Sequence, residues 1–436
     1  MSLLGALFSA LVCWWPWSNS RAEQYGSITT SGNATETIAG TEEGERINIA
    51  GAVRARDTGT NVIDMGGGQD TLNIFGRVES DGNGCNEINL GKGGSLLTIT
   101  GSVQAFDKGD NSILGGSGDD VVTITGGLRA SGSAMNNINL GDGENTLGIS
   151  LGLVSYNNTN NIITTGDGND AISVSGGLYS ASENSIKAGG GDNCVTISGG
   201  MNANGGTNSI SCGDGNDTVS IWGVTKVAAG GENYVETGSG NDVISLHNNI
   251  GAGALTIDAG IGNDTLVLNG SRASLFNTAY EDWLTDYAAT DGLRSMNIET
   301  IEVTMTRTAG ISDLQWLGKL AADANINLQL NVDTNGRSLN LGNFFETGDD
   351  VFSVLSMEGG VRNTLTIRGS LSDNDYDGNR LTVLGDSNDT VRLGAEWKLL
   401  SPPPPLEGDV STPLYISYTN VDDVLLIHHE ISVITM

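Results

Sequence analysis

The chain has 436 residues, 64 of them glycine and only six proline, with no strict three-residue glycine period, which excludes collagen and points to a fold dense in tight turns. Hydrophobic residues make up 38%, more than a disordered chain carries. Fifty-two acidic against 20 basic residues leave a net charge of −32, which disfavours nucleic acid and anionic membrane surfaces as partners and favours cations.

Residues 3–17, LLGALFSALVCWWPW, are apolar, but too short for a confident membrane span and broken by Pro16. They also lack a basic leading segment. Three roles fit the stretch: a hydrophobic cap over the first coil of the repeat array, an export signal, or a membrane-associating segment. The four cysteines, Cys13, Cys85, Cys194 and Cys212, form no CxxC pair, so neither a disulfide framework nor a zinc site is legible.

A Gly-x-Gly pair recurs from Gly66 to Gly260 at intervals of 25, 25, 25, 25, 23, 24, 25 and 22 residues. Each copy sits within N-x-I-x-x-G-x-G-x-D-x-L-x-I-x-G, as in NSILGGSGDDVVTITG (111–126). Alternation such as Val122 and Ile124 after the glycines predicts a strand with one buried face. The Asn-to-Ile segment before them predicts a second strand, and a shorter alternation, as in Leu128 and Ala130, a third.

One repeat cannot bury its apolar face alone, whereas stacked repeats place their isoleucines in columns. The pattern therefore predicts an all-β fold, a right-handed parallel β-helix or solenoid of about nine to ten 25-residue coils rising about 4.8 Å each. A β-rich C-terminal region with one short helix follows. Ile38, Ile47, Ile49 and Gly51, one period ahead of Ile63, Leu72, Ile74 and Gly76, read as a degraded first coil. Asn61, Asn86, Asn111, Asn136, Asn161, Asn184, Asn208 and Asn233 fit a hydrogen-bonded asparagine ladder at a turn.

Two residues after each Gly-x-Gly stands Asp70, Asp120, Asp170, Asp217, Asp242 or Asp264, interrupted by Ser95, Asn145 and Asn193. Stacking lines these side chains along one edge, where bare carboxylates about 5 Å apart repel and a hard divalent cation reverses the penalty. Calcium takes six to eight oxygen ligands, which carboxylates, loop carbonyls and water supply. A metal-free Asp/Asn/Gly turn ladder is the competing reading.

The string Gly115-Gly116-Ser117-Gly118-Asp119-Asp120 resembles the repeats-in-toxin nonapeptide G-G-x-G-x-D-x-U-x. That resemblance implies calcium (Ca2+) ligation by Asp70, Asp120, Asp170, Asp217, Asp242 and Asp264, with Asp142, Asp167 and Asp214 as additional ligands. Unlike the family's tandem nonapeptides, this chain has one motif per 25 residues, which implies a broader coil with a single calcium-lined edge. The Ser95, Asn145 and Asn193 corners are expected to be poor in metal.

The period is lost from residue 271, which divides the chain into an N-terminal apolar segment (1–34), the solenoid (35–270) and a C-terminal β-rich cap (271–436). Residues 311–324 carry Leu314, Leu317 and Leu320 at helical spacing. Asn297 to Ile301, Leu381 to Val391, Trp397 and Tyr418 to Asn420 follow the order found at the ends of large bacterial repeats-in-toxin adhesins. That resemblance implies an uncleaved type I secretion signal and an extracellular or cell-surface location.

With only His247, His428 and His429, and no nucleophile, zinc or nucleotide motif beside them, the sequence favours a structural or adhesive calcium-binding protein over an enzyme. Its expected partners are calcium and then cell-surface glycans or other surface proteins. A polysaccharide-active β-helix lyase or epimerase and a repeats-in-toxin cytotoxin fragment are the alternatives.

Overall fold

The computed structural model describes residues 22–247, 255–270, 300–305, 327–332, 338–340, 352–356, 364–367, 380–385, 387–400, 415–420 and 423–435. The apolar stretch 3–17, the expected helix over 311–324 and the proline run 402–405 lie outside these residues.

Each repeat forms three strands, as expected. In one coil these are Asp110–Gly116, Val121–Ile124 and Leu128–Ser131. The first kind stacks into a ten-stranded sheet (sheet 1), the second into an 18-stranded sheet (sheet 2) and the third into a nine-stranded sheet (sheet 3). Within the array every pairing is parallel and in register by one repeat, so Ile113 lies between Ile88 and Ile138, and Val122 between Leu97 and Leu147. The result is a parallel β-solenoid of 25-residue coils.

Register explains the core. Because side chains alternate along a strand, the central inward position of sheet 1 and the inward positions of sheet 2 form continuous columns of Ile, Leu and Val. The column Leu72, Leu97, Val122, Leu147, Ile172, Val195, Val219, Ile244, Leu266 is buried throughout. Each such side chain contributes about 1.5–3 kcal/mol by leaving water. Ile38, Ile47 and Ile49 pair with Ile63, Leu72 and Ile74, so the degraded copy is a genuine coil ahead of the first Gly-x-Gly.

The asparagine ladder is present. Every Nδ2 from Asn61 to Asn208 donates to the Oδ1 of the next asparagine at 2.7–2.9 Å. In the 25-residue coils the same amide also donates to the carbonyl seven residues upstream, such as Asn136 to Arg129 O at 2.9 Å. One buried side chain thus ties its own turn and the coil that follows.

Sheet 2 continues where the sequence period stops. Thr265–Gly270 pairs in parallel with Thr300–Met305, which pairs with Asn327–Val332, then Phe352–Ser356, Arg380–Leu384 and Asp423–His428. Tyr415–Asn420 then adds antiparallel to Asp423–His428, and Lys398–Leu399 to Tyr415–Asn420. A separate four-stranded parallel sheet ends with Thr390–Leu393 and Ser432–Thr435.

Removing one rung tests the ladder. Asn136 is fully buried, donates to Asn161 and Arg129 O and accepts from Asn111. Asn136→Ala leaves two of those buried groups unmet and is expected to destabilise the surrounding coils by about 2–4 kcal/mol, read as a lowered urea midpoint.

Candidate cation edge

The corner between sheet 1 and sheet 2 is built by glycine. Gly141 and Gly166 hold φ of +73° and +85°, and a Cβ on Gly141 would fall on the carbonyl oxygen of Gly116 in the coil before. Only glycine lets successive corners approach this closely.

Asp70, Asp120, Asp170, Asp217, Asp242 and Asp264 follow this corner and share one buried column, each at most 3% exposed. Their Oδ1 atoms accept the backbone N–H one coil earlier, from Glu45, Ser95, Asn145, Asn193, Asp217 and Asp242 respectively, at 2.7–2.9 Å. The column is therefore a side-chain-to-backbone ladder, as in the turn ladder that the sequence set beside the metal reading, with the N–H of the preceding coil as the partner. Asp142, Asp167 and Asp214 lie on the same corner but face solvent, outside the buried column. Asp142 Oδ1 accepts the Asp167 N–H at 3.3 Å.

The second carboxylate oxygen carries the chemistry. Oδ2 of Asp70, Asp120, Asp170, Asp217 and Asp242 is buried with no hydrogen-bond partner among the described residues. The neutral residues show what this position faces. Asn145 accepts the Asp120 N–H through Oδ1, as the aspartates do, and its Nδ2 donates to Gly141 O, Gly143 O and Thr165 O at 3.0, 3.0 and 3.2 Å. Asn193 Nδ2 likewise donates to Gly189 O and Gly191 O at 3.3 and 2.8 Å. An aspartate held by the same Oδ1 bond sets an acceptor oxygen where asparagine sets a donor, among carbonyls that are acceptors too.

Such a position calls for a proton, a donor water or a cation. At Asp120 a Cβ on Gly115 would fall on both the Leu140 carbonyl oxygen and the Asp120 Oδ2, so two oxygens of neighbouring coils converge on one point that only glycine leaves unfilled. The donor set is all oxygen, carboxylate and carbonyl, and suits a hard cation such as calcium over a thiophilic metal. Among the described residues no three or more His, Cys, Asp or Glu side chains gather into a cage, so any ion there depends on backbone carbonyls.

The unmet oxygens shift titration. Asp70, Asp120, Asp170 and Asp217 are raised to about 6, chiefly because burial penalises the charged form; the backbone N–H bond opposes this at each, and at Asp170 the Thr165 hydroxyl opposes it more. The neighbouring Asp242 charge raises Asp217 further.

Three features were missed in the sequence. Glu45 heads the column, its N–H on Asp70 and its carboxylate accepting the Thr41 N–H and hydroxyl. An outer, exposed column repeats the N–H capping: Asp119 accepts from Glu144, Asn169 from Asp192, Asp192 from Asn216, Asn216 from Asn241. Its signal was the Asp or Asn just before six of the nine column residues, Asp119, Asn169, Asp192, Asn216, Asn241 and Asn263. Asp389, fully buried beside Gly385, belongs to a G-x-x-x-D string in the C-terminal region.

No protein-family model matches the chain, and no curated protein matches it.

These values fix a pH dependence for the metal-free chain. The folded carboxyls hold protons more tightly than free aspartate at 3.8, so their contribution to stability is complete below about pH 4 and is lost as pH rises through about 6. With a chelator present, the thermal midpoint is expected to be higher near pH 4.5 than near pH 7.5. Asp170→Asn, which supplies an amide in place of the proton, should narrow that difference.

Proposed function

We propose that this protein is a calcium-stabilised solenoid of the repeats-in-toxin kind, exported from the cell and serving as a structural or adhesive surface element. The observation that carries the reading is the set of buried Oδ2 atoms at the position where Asn145 and Asn193 direct an amide toward loop carbonyls. Asp70, Asp120, Asp170, Asp217, Asp242 and Asp264, with the Gly-x-Gly carbonyls, are the residues that would hold calcium. The exposed Asp142, Asp167 and Asp214 would attract the ion to the edge and bind it less tightly. Calcium bound there replaces acceptor–acceptor contact by ligation and links neighbouring coils.

Such sites couple binding to folding. At low calcium above pH 6 the buried carboxylates oppose stacking, whereas millimolar calcium stabilises only the stacked chain. Affinities of roughly 10⁻⁴ to 10⁻³ M, typical of extracellular modules, would suffice. The order of strings at the C-terminal end supports type I export by resemblance.

Over most of the array the outward face of sheet 2 offers no charged acid–base groups for polysaccharide chemistry, and on the sheet 3 side Glu79 is engaged by Arg54 and Arg77. Between Thr71 and Val267 the outward positions of the array strands of sheet 2, such as Thr98, Thr123, Ser173 and Ser220, carry no Asp, Glu, Lys or Arg. A lyase or glycosidase groove needs charged acid–base groups converging on such a face. His247 instead lies parallel to Trp222 with ring centroids 3.6 Å apart.

Calcium titration checks the proposal. Added calcium is expected to raise the thermal midpoint at pH 7.5 in a concentration-dependent way, and magnesium much less, because magnesium sheds its water reluctantly. An unchanged midpoint and β-type circular dichroism across a calcium–chelator series would count against it.

A further inference from the structure

We propose that cation dependence is concentrated at the C-terminal end of the array, on Asp217, Asp242 and Asp264, because Ser95, Asn145 and Asn193 are built-in substitutes for the ion in the coils before them. This inference rests on the reading of the buried column as a cation edge.

The column runs Asp70, Ser95, Asp120, Asn145, Asp170, Asn193, Asp217, Asp242, Asp264. From Asp70 to Asp217 a neutral residue separates every pair of carboxylates, so charges lie two coils apart, about 9–10 Å. Their mutual repulsion is then about half that of adjacent coils.

The neutral residues do more than dilute charge. Each accepts the backbone N–H of the aspartate one coil earlier: Asp70 to Ser95 Oγ at 3.3 Å, Asp120 to Asn145 Oδ1 and Asp170 to Asn193 Oδ1 at 3.0 Å. Each also donates to its own loop carbonyls, Ser95 to Leu90 O at 3.2 Å and the asparagines to the glycine carbonyls. An amide in this place satisfies the carbonyls that an ion would otherwise ligate, without adding charge. At the other end of the column, Glu45 adjoins Asp70, but its carboxylate turns back onto Thr41 and is satisfied there.

From Asp217 onward nothing intervenes. Asp217 N–H donates to Asp242 and Asp242 N–H to Asp264, at 2.8 and 2.9 Å, so three carboxylates follow at steps of one coil. The Oδ2 atoms of Asp217 and Asp242 are buried without a hydrogen-bond partner. The nearby Thr237 hydroxyl offers no relief, since it donates to Ala259 O at 3.1 Å. Glu45, Asp119 and Glu144 also press on Asp70, Asp120 and Asp170. Among the described residues, however, only this stretch combines three column aspartates on consecutive coils with missing donors, and a cation answers both.

Hydrogen exchange read by mass spectrometry on the full chain at about pH 7.5, with calcium and then with excess chelator, tests this. Chelation is expected to accelerate exchange by roughly tenfold or more in peptides spanning 193–246, while peptides spanning 71–175 change by about twofold or less. Uniform acceleration along the array would overturn the inference and leave the cation edge standing. No acceleration anywhere would overturn both. Asp242→Asn supplies a second arm, restoring alternation between Asp217 and Asp264. It is expected to make 193–246 insensitive to chelator, and a variant that stays as chelator-sensitive as the parent refutes the substitution argument.

Discussion

Lateral backbone pairing in exact step, residue against its equivalent one coil on, is the constraint from which the rest of this structure follows. Parallel in-register stacking sets equivalent positions over one another along the array, and most often like over like, as in Asn111 between Asn86 and Asn136. For isoleucine this is favourable, since each column is a continuous dry seam. For asparagine it is better still, because a primary amide is both donor and acceptor and can hydrogen-bond to copies of itself indefinitely. For aspartate the same geometry is adverse, because a carboxylate only accepts.

The acidic edge shows how that conflict is handled. One oxygen of each aspartate is satisfied by the N–H of the preceding coil, which gives the column a purpose with or without metal. The other oxygen is left among acceptors, a position that a proton, a donor water or a cation would relieve. A metal-free turn ladder and a cation site are therefore not rival descriptions of this corner. Oδ1 performs the first function, and on the proposed reading Oδ2 would serve the second.

Much of this was legible in the residues. The period, the three strands, the buried Ile/Leu/Val columns, the asparagine ladder and the degraded first coil all follow from a pattern that stacks one way. What escaped was atomic or long-range. No spacing rule says that Asp120 reaches back to Ser95 instead of outward, or that Asp142 and Asp167, equally acidic, stay in solvent. The loss of period at residue 271 concealed the continuation of sheet 2, because Thr300–Met305 and Asn327–Val332 pair through backbone groups that any sequence carries. Side-chain periodicity reports the corners and the core, and the hydrogen-bonded ribbon outlasts both.

The variable coil lengths have a further consequence. Asn160 pairs with Glu183 and Thr207 with Glu232, offsets of 23 and 25, yet the ladders run through unbroken. A shortened turn is absorbed locally, and every internal coil meets nearly the same surface above and below. Duplication or deletion of one complete unit would thus leave its former neighbours in equivalent surroundings, which makes the reach of the rod an evolvable quantity adjustable in single steps by recombination within the gene.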